Sequence, residues 1–179
     1  SWQKIRVAIR QRDSFKCCHC GAIESDRQWD VHHKVPLRKF ASLEETNAPE
    51  NLVTLCPRCH HLAEQQVRIQ SGLSGLAYLL WNLAPFFVMC DLSNLGMHSD
   101  AESDIADGLP VIALYDMIPG GIGLCRKLYD LQEKLLKAAY EQVKNCQCSN
   151  GCPACVGPVA ENGLGAKDHA IAILKELTP

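Results

Sequence analysis

What the sequence lacks sets its first limits. The longest apolar stretch, Leu73 to Leu92, is interrupted by Asn82, Pro85 and Asp91, which leaves no convincing membrane span. No secretory leader is expected, and there is neither a low-complexity tract nor an internal repeat beyond the cysteine knuckles. The one glycine-rich turn, IPGGIG at 118–123, has no Lys-Ser/Thr behind it, so it is not a Walker loop and the chain is no motor by itself. A tight turn with close packing explains those glycines. A dominant charge is missing as well: 18 basic against 20 acidic residues give −2, which by itself points to no nucleic acid. The balance is uneven along the chain. Residues 1–70 carry 11 Lys/Arg against 8 Asp/Glu, and residues 71–179 carry 7 against 12. A modest basic surplus therefore sits in the first half.

Cysteine is what the sequence has in excess. Eleven of them without a leader argue for metal binding in a reducing compartment, with a cytoplasmic location expected, rather than for a disulfide framework. Eight cluster: Cys17/Cys20, Cys56/Cys59, and Cys146, Cys148, Cys152, Cys155. Cys18, Cys90 and Cys125 are left over; the last two have apolar neighbours and suit small buried hydrophobes.

Hydrophobic periodicity and punctuation give a provisional layout. Trp2 to Asp13 has the pattern of a helix with a basic outer face, and FKCCHCG makes a knuckle closed by Gly21. WDVHHKV is a short strand stopped by Pro36, then come a polar loop and the β-rich run LVTLC. PRCHHLAEQQVRIQ starts a helix on its proline. SGLSG at 71–75 is the expected joint between two units. Beyond it the pattern predicts an apolar helix (LAYLLWNLA), a buried strand (FFVMCDL), an acidic loop (95–108) and a strand (LPVIALYD). A long helix over 124–144 and a closing helix (DHAIAILKEL) follow. Asp116 and the acids from Asp100 to Asp107 are expected to be solvated rather than metal-binding, and His98 and His169 are lone.

The cysteine spacings carry chemistry. Two C-x-x-C pairs, each on a tight turn, offer four thiolates to one tetrahedral zinc, and the 35 residues between them are stapled across an intervening element. Cys18 has the wrong spacing to join. CQCSNGCPAC compresses four more thiolates into ten residues, a second structural zinc.

The order RDSFKCCHCG…VHHKVP…ENLVTLCPRCHH, over residues 2 to 68, resembles the HNH nuclease family with its ββα-metal fold. By that resemblance His32 and His60 bind a catalytic divalent ion, His33 is the general base, and Asn51 orients it. The division suits phosphodiester hydrolysis, which needs a base titrating near neutrality and a cation on the phosphate oxygens. Two nitrogen donors lean toward Mn²⁺, Ni²⁺, Co²⁺ or Zn²⁺ over Mg²⁺, although Asp30, on the face of His32, could add an oxygen. Arg10, Arg12, Lys34, Arg38 and Lys39 are candidate phosphate contacts, and His61 is expected to meet solvent or DNA backbone.

From residue 72 to 177, GLAYLLWNLAPFFVMCDLSNLGMHSD, LPVIALYDMIPGGIGL and CQCSNGCPACVGP…ENGLGAKDHAIAIL resemble the zinc-binding MZB domain at the carboxyl end of DEAD/DEAH-type helicases. The expectation is an α+β chain: an HNH-type ββα-metal unit (1–70) followed by a small α/β zinc-binding domain (72–179). It would be a metal-dependent DNA endonuclease in DNA repair or defence, with two structural zinc ions and one catalytic ion. Its expected partners are DNA and helicase lobes in the same or a neighbouring chain. The alternative is a non-catalytic accessory region with a vestigial site.

Overall fold

A computed structural model describes residues 1–25 and 27–178, with Arg38 described by its backbone alone. The chain forms two compact units, Ser1–Gln66 and the remainder from Val67.

In the first unit, helix α1 (Trp2–Arg12) precedes the zinc knuckle, then strand β1 (Asp30–His33), a short helix α2 (Leu43–Thr46) and strand β2 (Leu52–Leu55). Helix α3 (Pro57–Val88) starts on its proline, whose missing N–H costs nothing at a first helical position. β1 and β2 pair antiparallel, His32 opposite Val53 and His33 opposite Leu52. Ile9 of α1 packs with Val31 and Leu52, whereas Trp29 and Leu55 pack around Cys17, Cys56 and Cys59. The unit thus has two small apolar clusters, and thiols form much of one of them. Asp13 and Arg12 lock α1 onto the sheet. The Asp13 carboxylate accepts from the Thr54 backbone N–H at 2.9 Å and from Arg12 Nε at 2.7 Å, while Arg12 Nη2 donates to the Leu52 carbonyl at 2.8 Å. Burial opposes ionisation of Asp13, but the Arg12 and Thr54 hydrogen bonds outweigh it and hold the carboxyl down at about 2.

The second unit differs from its sequence reading at four points. SGLSG is no joint: it lies inside α3, where small residues let α7 (Ala166–Leu177) approach. A Cβ on Gly72 would sit 2.7 Å from the His169 Cβ, and one on Gly75 3.0 Å from the Val156 Cβ. FFVMCDL is no strand; α3 runs through Pro85 to Val88 and stops at Met89, in the left-handed region. The acidic loop is a strand, β3 (Leu95–Ser103), paired antiparallel with β4 (Leu109–Asp116). Its outer residues are polar because one face meets water. Trp81 Nε1 donates to the Leu95 carbonyl at 2.6 Å, tying this ribbon to α3. The predicted long helix is two, α4 (Leu124–Asp130) and α5 (Gln132–Asn145), separated at Leu131. A short helix, α6 (Val159–Asn162), comes between α5 and α7. Leu76, Leu79, Ala84, Leu95, Leu135, Val143, Val156 and Leu174 are among the core residues, with Cys90 and Cys125 packed at its edge. α3 is long and apolar enough by composition to cross a bilayer, but 56% of its most apolar window is buried within the fold.

Candidate active site and metal centres

The first knuckle turns at Gly21, whose φ of +77° suits glycine, and Gly21 N donates to the Cys17 carbonyl at 2.9 Å. This presents Cys17 and Cys20 together. Cys56 lies immediately before α3 and accepts from the Cys59 backbone N–H at 3.5 Å, while Cys59, on the first turn, is pushed up to about 12 by burial and by the neighbouring thiols of Cys56, Cys20 and Cys17. All four sulfurs fall within 4.8 Å of one another, Cys20 and Cys56 at 3.8 Å. A tetrahedral zinc with bonds of about 2.3 Å separates its sulfurs by about 3.8 Å, so the donor set fits zinc. Burial raises the Cys17 thiol, but hydrogen bonds from backbone groups of Cys20, Cys56 and His19 prevail and bring it down to about 6. It is prepared to ligate at neutral pH. Cys18 is largely exposed and outside the group; partial desolvation of its sulfur and the neighbouring Asp13 carboxylate push its thiol up.

The second group gathers just as closely. Cys146 lies 3.5 Å from Cys148 and from Cys152, and Cys155 lies 3.5 Å from Cys148 and 3.6 Å from Cys152. Only glycine serves at 151: a Cβ there would meet the Gly157 carbonyl at 2.9 Å. Lys167, 9% exposed on α7, donates Nζ to the Cys146 carbonyl at 2.7 Å and to the Cys148 carbonyl. Its positive charge is thereby placed beside a cluster that would carry net negative charge with zinc.

Imidazoles from between the thiol pairs and from just after the second pair converge. His32 points to α3, and its ring lies edge-on to that of His60, centroids 5.2 Å apart. Two imidazoles on one tetrahedral ion have ring centres about 5 Å apart, given metal–nitrogen bonds near 2.0 Å, so this pair also fits a cation. Burial, then the neighbouring imidazoles of His60 and His33, lowers the pKa of His32, which favours the neutral ring that a metal requires. His33, the last residue of β1, faces the other way. Trp2 stacks on it, centroids 5.3 Å apart and planes 10° from parallel, and its Nε2 is 3.0 Å from Asn47 Oδ1. With the Asn47 oxygen accepting, the proton resides on Nε2 and Nδ1 keeps a lone pair.

Asn51 does not touch the base as the resemblance implied. It is 8% exposed; its amide donates to the carbonyls of Val35 (3.1 Å) and Thr46 (2.9 Å), and its oxygen accepts from Val35 N at 2.8 Å. Its own carbonyl accepts from Lys34 N at 2.8 Å. It pins the segment that follows His33, and Asn47 holds the ring. Trp2 and Asn47 were missed because a lone aromatic and a loop asparagine carry no motif.

Of the basic candidates, two are corrected. Arg10 is 6% exposed and paired with Glu24 through two hydrogen bonds, one from Nε at 3.0 Å. Arg12 is spent on Asp13 and the Pro49 and Leu52 carbonyls. Both anchor α1 rather than a phosphate. Lys34 and Lys39 are exposed, as is His61; the side chain of Arg38 lies outside the described residues. Asp30 is half-exposed and paired with Arg6, whose Nη2 lies 3.3 Å from its Oδ1. IPGGIG is closed by Asp116, which accepts from Ile122 N and Cys125 N at 3.2 Å each and fills the place a phosphate would take.

A ββ-hairpin-and-helix unit with a four-thiol cluster and facing imidazoles, followed by a mainly helical unit with a second four-thiol cluster, defines an α+β protein of the ββα-metal class with two donor sets that could hold zinc. The chain belongs to the HNH endonuclease family through residues 17–66 and to the MZB family, the MrfA Zn-binding domain, through residues 76–156. It is 33% identical over 76 residues to the probable HNH endonuclease of Lactococcus phage SK1, covering 41% of this chain and 79% of that one. Over 110 residues it is 37% identical to an uncharacterised protein of Methanocaldococcus jannaschii, covering 59% of this chain and 98% of that protein. It is also 33% identical over 110 residues to the ATP-dependent helicase YprA of Bacillus subtilis; the match takes in 62% of this chain but only 14% of the helicase. Among solved structures it is similar to the DUF1998 helicase MrfA bound to DNA, with a TM-score of 0.56, 32% identity, and coverage of 62% of this chain and 15% of that one.

Proposed function

We propose that the chain is a metal-dependent DNA endonuclease, its first unit hydrolysing phosphodiester bonds and its second docking that activity to DNA or to helicase lobes of the same or a neighbouring chain. The observation that carries the reading is the arrangement at the end of β1: His32 facing His60 at 5.2 Å, with His33 beside them held by Asn47 and Trp2. His33 takes the proton from the attacking water at Nδ1, while Asn47 keeps the Nε2 proton engaged. Asn51 fixes the backbone at Lys34 and Val35, so the base stays at one place as phosphate enters. Lys34 and Lys39, both exposed on the segment after β1, supply positive charge for the nucleic-acid backbone. His32 and His60 would hold a divalent ion, which supplies charge stabilisation at the phosphate and leaving oxygens when bound. The imidazole donors suit Mn²⁺, Ni²⁺, Co²⁺ or Zn²⁺ better than Mg²⁺. The phage relative supports the nuclease half, and the DNA-bound helicase the docking half.

The test is incubation of the zinc-loaded chain with plasmid and Mn²⁺, Ni²⁺ or Mg²⁺, beside His33→Ala. Nicking or linearisation that falls at least about 100-fold in the variant is expected, the lower end of what a general base contributes. No cleavage by the parent with any ion, or equal cleavage by both, overturns the reading. DNA binding that persists without cleavage would leave an accessory role.

A further inference from the structure

The indole of Trp2, the first residue of α1, has one face in use. That face lies on the ring of His33, with planes 10° from parallel and centroids 5.3 Å apart. Trp2 is nevertheless 40% exposed, whereas Trp29 is 7% exposed and Trp81 is tied to the Leu95 carbonyl through its indole N–H. No other ring and no cation packs on Trp2 among the described residues. Its exposure therefore falls on the ring's edge and on the face turned away from His33. A support for His33 needs one face only, so the second is unaccounted for.

A flat apolar surface beside a base that serves phosphate suits a nucleobase. Every nucleobase has a π-face that stacks on an aromatic side chain, but in a duplex those faces are taken by the neighbouring pairs. Only an unpaired base can reach Trp2. A base stacked there would have its ring centre about 10 Å from that of His33, the reach of one or two nucleotides. Lys34, exposed and next in the chain after His33, puts a cation for the strand's backbone on the same segment.

We propose that the open face of Trp2 is a stacking subsite for an unpaired nucleobase of single-stranded DNA, one or two nucleotides from the phosphate that His33 serves. The substrate is then DNA with an unpaired stretch rather than uniform duplex. The place of the subsite beside a scissile phosphate rests on the nuclease reading; its affinity for a base does not.

The experiment uses the full chain with both four-thiol sites loaded with zinc and no other divalent ion added. Three end-labelled ligands of equal length are titrated by fluorescence anisotropy: a thymidine strand, the same strand as bare deoxyribose-phosphate backbone without bases, and the strand paired into duplex. The parent is expected to bind the thymidine strand at least about fivefold more tightly than the bare backbone, the lower end of what one stacked base contributes, and to lose tryptophan emission on binding. Trp2→Leu should bind strand and bare backbone within twofold of each other while its duplex affinity stays within twofold of the parent's. Trp2→Phe, which keeps a flat ring, should keep most of the margin without the emission change, a check that does not rely on the leucine variant. Circular dichroism establishes that both variants of this exposed residue are folded. A parent that binds strand and bare backbone alike, or a Trp2→Leu chain that retains the margin, overturns the proposal. So does an equal loss on strand and duplex, which would leave Trp2 as a support for His33 alone. If the parent shows the margin yet cuts no DNA with any ion, the nuclease reading falls and the base subsite stands. If it cuts DNA while Trp2→Leu lowers kcat and leaves both KM and the binding margin unchanged, the nuclease reading stands and the subsite falls.

Discussion

Adjacent histidines on a strand must face opposite ways, and here that rule separates two tasks. His32 turns to α3 and meets His60; His33 turns to α1 and meets Trp2. The consequence is that the residues that hold the base differ from those that hold the metal, so they can be removed separately. Asn47→Ala should lower kcat about tenfold to 100-fold with KM and thermal stability unchanged, because it frees the ring without disturbing the backbone. Asn47→Asp, which keeps an acceptor oxygen, should restore most of the rate. Asn51→Ala should behave otherwise. It removes three hydrogen bonds from a buried amide, at about 1 kcal/mol each, and should appear first as a lower Tm. Steady-state cleavage and thermal melts on the two variants decide it; an Asn47→Ala enzyme with parental kcat would remove Asn47 from the site. The sequence carried the His32–His60 meeting, since the thiol pairs bracket His32 and their closure brings in His60, the residue after Cys59. It did not carry Asn47, whose distance from His33 depends on how residues 34–46 fold back.

At the scale of elements, what was legible were segments whose local pattern agrees with their tertiary role. α1, β1, β2, β4, α7 and the start of α3 at Pro57 all belong here. The misread ones are those where packing overrides composition. Glycine and serine at 71–75 have the composition of a linker, yet Gly72 and Gly75 lie in mid-helix because α7 needs the space a side chain would take. β3 was hidden by its acidic, half-wet sequence, and its Gly96 leaves room for the ring of Tyr115 across the ribbon. The helix cost of each glycine, about 1 kcal/mol against alanine, is offset by the close approach it permits. Gly75→Leu should therefore destabilise the second unit by about 3 kcal/mol through overpacking against Val156 and Ala166, in spite of leucine's better helix propensity. Denaturant unfolding of the variant measures this. A gain in stability would mean that the stretch behaves as the flexible joint its composition describes.

For the whole molecule the decisive contrast is between the cores of the two units. The first has Ile9, Val31 and Leu52 in one cluster and Trp29 and Leu55 among three thiols in the other, so its interior is barely closed without an ion. The second has an extended apolar core built from α3, β3, α4, α5 and α7, with Cys155 inside it and the other three knuckle thiols at its edge. Small domains lean on metals in proportion to what their cores lack. Withdrawal of zinc by a chelator should therefore unfold the first unit while much of the second keeps its helices. The loss of the first zinc should appear as a change in emission from the buried Trp29, which Cys56→Ser, removing one first-unit ligand, should reproduce without chelator. Cys152→Ser should instead cost one zinc equivalent and disorder the knuckle, leaving Trp29 emission and the His32–His60 site as they were. Metal analysis of each variant, expected to fall from two tightly held zinc ions per chain to one, ties each spectral change to its ion. If Cys56→Ser left the first unit folded, its two apolar clusters would be enough by themselves. The thiol staple would then be dispensable to the imidazole site, and core size would not decide which unit depends on its ion.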